Sequence, residues 1–93
     1  MVRFTGILES ARGGGHAVPV DDEVVASIGG KHMSRVAGTL NGASFRSSVV
    51  RYGGRMFLGV HKATIKAAAV SVGDVVKVEM SLDTEPREGD AKT

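Results

Sequence analysis

Residues 76–83 constrain the fold most. Val76, Val78, Met80 and Leu82 alternate there with Lys77, Glu79, Ser81 and Asp83. A period of two places four apolar side chains on one side of an extended chain and four polar ones on the other, so the segment reads as a strand with one buried face. Just upstream, Ile65, Ala68 and Ala69 fall three to four residues apart, a helical spacing. Gly73-Asp74 lies between the two patterns, and glycine reverses the chain there without steric penalty. A one-faced strand must be covered by other elements, and the remaining residues supply them.

Residues 2–10 alternate Val2, Phe4, Gly6 and Leu8 against Arg3, Thr5, Ile7 and Glu9, a second one-faced strand. Arg12-Gly13-Gly14-Gly15 reads as a turn; without a following Lys and Ser or Thr the glycines do not make a phosphate loop. His16 to Val20 is a short strand in which Pro19 marks an edge or an end, because proline donates nothing to a ladder. Asp21 or Asp22 is placed to cap a helix running to Ile28, with Gly29-Gly30 as its stop. Asn41-Gly42 separates two alternating runs, Ser34 to Leu40 and Ala43 to Arg51, and is a strong hairpin signal because both positions of a type I′ turn need positive φ. Counting from that turn pairs Leu40 with Ala43, Gly38 with Phe45 and Val36 with Ser47. Gly53-Gly54 makes the next turn, Arg55 to Val60 the fifth strand, and Lys62 to Ala69 the second helix. No internal repeat stands out, but two helix-then-strand passages, residues 21–40 and 62–82, hint at pseudo-symmetry. Six short strands, glycine turns and two brief helices indicate an all-β barrel or a small sandwich.

Ninety-three residues, 42% of them hydrophobic, suffice for one modest core. Residues 1–83 are expected to form a single domain and residues 84–93, mostly charged and without an apolar anchor, a frayed tail. With no cysteine, disulfides and thiolate chemistry are excluded. No continuous apolar run reads as a signal peptide or a membrane span, so a cytoplasmic location away from membranes is expected. The net charge is only +2, less than a dedicated nucleic-acid-binding surface carries. It is unevenly spread, however. Lys31, Arg35, Arg46, Arg51, Arg55, Lys62 and Lys66 form a basic block that contains no acid.

Three stretches in fixed order resemble a known family: Val18-Pro19, VAGTLNGASFRSSV from Val36 to Val49, and HKATIKAAAVSVGDVVKVEMSLDTEPR from His61 to Arg87. The chain resembles DUF1905, a family of small bacterial domains of unknown function, over Phe4 to Arg87. The resemblance implies a mainly β fold: a small closed six-stranded barrel, double-split-barrel-like, with two short helices. It implies no established activity. In some relatives the barrel precedes a helical segment of the YdeI/OmpD-associated type, linked to bacteriocin protection. The present sequence reaches Thr93 without such a segment, and that role is not carried over.

No arrangement of residues names a reaction, so an enzyme is not expected and no cofactor or metal is implied. His16, His32 and His61 match no metal-ligand spacing, and Ser44, Ser47 and Ser48 lie in a strand and not at a nucleophile elbow. Asp21, Asp22 and Glu23 read as a helix start rather than a cation site. The basic block is the candidate. Arg46, Tyr52, Arg55, His61 and Lys62 are expected to line an anion-accepting groove near one barrel mouth, with arginine gripping phosphate or carboxylate bidentately and lysine acting as a point charge. His61 and Lys62 open the second helix, where backbone amides favour an anion. The first functional expectation is therefore a non-enzymatic binding module for an anionic small molecule or a protein partner. The alternative is a nucleic-acid-binding barrel of the transcription-regulator kind, acting as a dimer and contacting the nucleic-acid backbone through Arg35, Arg46, Arg51 and Arg55. Of the four aromatic residues, Phe4, Phe45, Tyr52 and Phe57, most are expected in the core, which leaves few stacking surfaces for bases. A monomer or a homodimer is compatible with the sequence, the latter by pairing of an edge strand such as His16 to Val20.

Overall fold

A computed structural model of the chain describes residues 1–11 and 15–84. The first three residues of the turn read at Arg12-Gly13-Gly14-Gly15, and the tail after Thr84, lie outside the described residues. The elements are β1 (Val2–Ile7), β2 (Glu9–Ser10), β3 (His16–Val20), α1 (Asp22–Ser27), β4 (Arg35–Leu40), β5 (Ala43–Tyr52), β6 (Arg55–Val60), α2 (Lys62–Ala68) and β7 (Val75–Leu82). The strands form one antiparallel sheet in the order β1-β7-β4-β5-β6-β3-β2. The sheet curls until β1 meets β3, giving a nearly closed barrel.

Among the described residues there are seven strands, one more than the sequence suggests. The first alternating run is cut in two at Leu8, where its partner changes. β1 pairs with β7, from Val2 opposite Met80 to Ile7 opposite Val75, whereas β2 pairs with β3. Alternation survives the break, so Leu8 stays fully buried. Strand β5 changes partner in the same way without breaking. Ala43 to Ser48 pair with β4, and Val49 to Tyr52 pair with β6.

These two switches are counterparts in an internal twofold. The unit β3-α1-β4 recurs as β6-α2-β7 some 40 residues later. β3 pairs antiparallel with β6, and β4 with β7, as a dyad requires. The turns match bond for bond. The Leu8 N–H donates to the Asp74 carbonyl and the Leu8 carbonyl accepts the Gly73 N–H, while the Val49 N–H donates to the Ser34 carbonyl and the Val49 carbonyl accepts the Met33 N–H. Ser34 Oγ accepts the Lys31 N–H at 2.9 Å, as the Asp74 carboxylate accepts the Ser71 N–H at 2.8 Å. The equivalence explains two side chains in left-handed backbone. Met33 (φ 72°) stands where the other half has Gly73 (φ 96°), and Ala69 (φ 55°) stands where it has Gly29 (φ 77°).

The core is built from the inward sets that alternation marks. Val76, Val78 and Met80 of β7 are buried and Leu82 is half-buried. Their symmetry mates Val36 and Leu40 face them, with Val18, Val20, Leu58 and Val60 from the other strand pair. Val25 of α1 is buried and Ile65 of α2 packs against the same cluster. Asp21 occupies the N-cap of α1, but its side chain makes no capping hydrogen bond; the carboxylates of Asp22 and Glu23 support the helix through its dipole alone. β3 is not an edge strand: β6 lies along one side, and β2 and then β1 along the other. The Pro19 carbonyl points toward Gly6 of β1, so the missing N–H is directed away from the β6 ladder.

The Asn41-Gly42 hairpin forms with φ values of 49° and 87° and with the expected register, including Gly38 opposite Phe45. The need for glycine at 38 comes from the neighbouring strand. β7 presses on β4 there, and a Cβ on residue 38 would fall on the Glu79 carbonyl oxygen. Gly38→Ala is expected to cost about 3 kcal/mol or more, because backbone must move to admit the methyl group. Urea denaturation checks this; a loss under about 1 kcal/mol would show that β4 and β7 are less closely apposed.

Candidate functional site

Alternation decides which side chains of the central hairpin face outward. Phe45, Ser47 and Val49 of β5 point into the barrel, as do Met56, Leu58 and Val60 of β6. Val50 and Tyr52, and Arg55 and Phe57, therefore face out. The Gly53-Gly54 turn makes Tyr52 and Arg55 direct cross-strand partners, with Val50 opposite Phe57 one step further on. Tyr52 is 62% exposed. The guanidinium carbon of Arg55 lies 5.4 Å from the centre of the Phe57 ring, a cation–π contact that holds the arginine at this face.

Beside these residues is a groove of about 420 Å³, within the range of small-molecule sites. Tyr52, Val50 and Phe57 line one side of it. Glu9, Ser10, Ala11 and Ala17, from β2, the residue after it and β3, line the other. The groove crosses the twofold, which passes through the Val18–Leu58 pair beneath it. Arg55 stands next to the groove wall through Phe57 and itself lines a second depression, together with Asp21, Asp22 and Glu23. Among the described residues Arg55 has no carboxylate partner.

The five residues marked by the sequence fall into two groups. Tyr52 and Arg55 meet at the tip of the β5–β6 hairpin. His61 and Lys62 are exposed at the start of α2, beyond the opposite end of β6, roughly 17 Å away at the rise of a strand. α2 spans two turns from Lys62 to Ala68, and its first amides close on the His61 carbonyl. Arg46 also faces outward but is engaged: its Nε donates to Asp83 Oδ2 at 2.8 Å, and the Asp83 side chain is only 3% exposed. Arg51 bonds Asp22 at 3.2 Å, and its backbone N–H donates to His32 Nδ1 at 2.9 Å. Among the described residues no group of three or more His, Cys, Asp or Glu side chains converges on a metal position, and no helix is long and apolar enough to cross a membrane.

The sequence reading placed most aromatics inside, and the structure corrects it. Phe45 alone is buried; Phe4 is half-buried, Tyr52 is exposed, and Phe57 is half-buried on the outer face. The signal was present, since Phe57 sits between Met56 and Leu58 and must face opposite to them. Glu9, Ala11, Ala17 and Val50 carried no such signal, because their proximity comes from the twofold pairing of β3 with β6.

The architecture is that of a small, nearly closed antiparallel barrel with an internal twofold and a groove across its outer face. The chain belongs to the family described as domain of unknown function (DUF1905), which it matches over residues 4–80. No curated protein matches it.

Arg46 serves the fold, by neutralising a buried carboxylate. Arg46→Ala is expected to lower stability by about 2 kcal/mol, the scale of a hydrogen bond to a charged group, whereas Lys62→Ala changes it by less than about 0.5 kcal/mol. Urea titrations of the two variants separate these roles. Equal, small effects would mean that the Arg46–Asp83 pair contributes nothing.

Proposed function

We propose that the protein is a non-enzymatic binding barrel that holds an anionic small molecule in the groove of the β2-β3-β6-β5 face. The observation that carries this reading is Arg55, a guanidinium without a carboxylate partner among the described residues, lodged over Phe57, whose ring forms part of the wall of a mostly apolar groove of ligand size. An arginine pre-positioned in this way loses little freedom when it receives a carboxylate or phosphate in its fork. The apolar wall of Val50, Phe57 and Tyr52 takes the body of the molecule. A polyanion suits the surface less well. Arg46 and Arg51 already hold Asp83 and Asp22, and Asp21 to Glu23 border Arg55 on its other side. Lys62 and His61 belong to a separate surface, and the anion does not need them.

Thermal unfolding against a panel of organic carboxylates and phosphates tests the reading. At tenfold excess over Kd, a true ligand raises Tm by about 5–10 °C for a domain of this size. Arg55→Ala is expected to abolish the shift and Lys62→Ala to retain it. A panel that leaves Tm unchanged, or shifts that survive Arg55→Ala, would contradict the assignment.

A further inference from the structure

The groove straddles the internal twofold, yet its two sides differ in chemistry. Residues related by the dyad lie about 40 positions apart. Phe57 corresponds to Ala17, Tyr52 to Ala11 and Arg55 to Gly15. One half thus presents two rings and a cation, and the other presents two methyl groups, a bare glycine and the Glu9 carboxylate. If both halves carried the larger residues, two more rings would project into this space. Their absence leaves an opening beside Tyr52 and Phe57 that is mostly apolar and large enough for a bicyclic ring. Tyr52 is the chain's only tyrosine, and its ring stands 62% exposed at the rim with no aromatic counterpart across the groove. Its cross-strand partner is Arg55, so an anion held there lies one strand spacing, about 5 Å, from the Tyr52 ring.

We propose that the ligand is a flat aromatic anion. Its ring stacks on Tyr52 in the place of the missing side chains, and its acid group, carried on the ring or a few bonds from it, pairs with Arg55. This rests on the anion-binding reading above and adds the ring to it. Stacking on an exposed aromatic residue favours any flat π-system, and Ala11 and Ala17 leave the ring's place open, while the Glu9 carboxylate on that side directs the ligand's acid group toward Arg55. A ring-borne carboxylate and the phosphate of a nucleotide share this chemistry.

Two matched pairs of probes test the ring and the source of the anion together. Adenosine monophosphate is compared with ribose 5-phosphate, and 2-naphthoate with its fully saturated decalin analogue. Affinity is measured by calorimetry, and ring contact by proton NMR of the single tyrosine, whose ring resonances need no residue-by-residue assignment. The aromatic member of at least one pair is expected to bind about tenfold more tightly than its partner and to shift the Tyr52 ring protons upfield. Tyr52→Leu, a change at an exposed hairpin end, is expected to erase that preference. A preference confined to the phosphate pair or to the carboxylate pair supports the proposal and names the source. Equal binding within both pairs, or an aromatic probe that binds without moving the tyrosine signals, overturns the ring assignment and leaves the anion site standing. Failure of all four probes to bind overturns both readings.

Discussion

The fold depends on two strands that change partners. At Leu8 and at Val49 the chain leaves one strand pair, β4–β7, and joins the other, β3–β6. Each switch residue uses its N–H and C=O on the turn that leads into the strand it is leaving. The two strand pairs are thereby tied into one sheet, and both switch side chains are fully buried. A flat sheet of these strands would leave one apolar face in water; curling around a shared interior buries it. With a backbone this short, closure also removes exposed strand edges, and Pro19 marks the one seam, β1 against β3, where the ladder is not continued.

Twofold repetition explains features that look arbitrary in a single half. Left-handed backbone at Met33 and Ala69 follows from the turn geometry that Gly73 and Gly29 adopt without penalty. It also separates structural conservation of shape from divergence of surface. Inward positions keep their character across the dyad, as Val20 and Val60, Val36 and Val76, or Leu40 and Met80 do. Outward positions do not, and the contrast is greatest over the β3–β6 pair. A symmetric scaffold carrying an asymmetric groove is consistent with one half supplying stacking and charge while the other supplies space.

Much of the barrel was legible because strand periodicity is a local property. The alternation at Val76 to Leu82, the Asn41-Gly42 register and the stops at Gly29 and Gly73 each rest on a few neighbouring residues. Closure was less legible: nothing local at Leu8 announces that its neighbours on either side pair with different strands. The twofold was almost hidden, because it preserves size and polarity far more than identity. The candidate site suffered most. A run of like charges in sequence, Lys31 to Lys66, groups residues that antiparallel strands carry to opposite ends of the barrel. Arg46 looked available in the sequence, but its partner Asp83 is 37 residues away and becomes a neighbour only when β7 is in place. Phe57, Ala11 and Ala17 lie far apart in the chain and meet only across the dyad.

Native-state amide hydrogen exchange tests the central claim most directly. If the two switching strands unite one core, the amides of Leu8 and Val49 open with free energies within about 1 kcal/mol of those of buried strand amides such as Val18 and Val78, all at the level of global unfolding. If the β2-β3-β6 amides instead exchange through an opening several kcal/mol cheaper than that of β1-β7-β4, the halves are separate sheets in loose contact. The shared interior, and the groove that depends on its twofold, would then be contradicted.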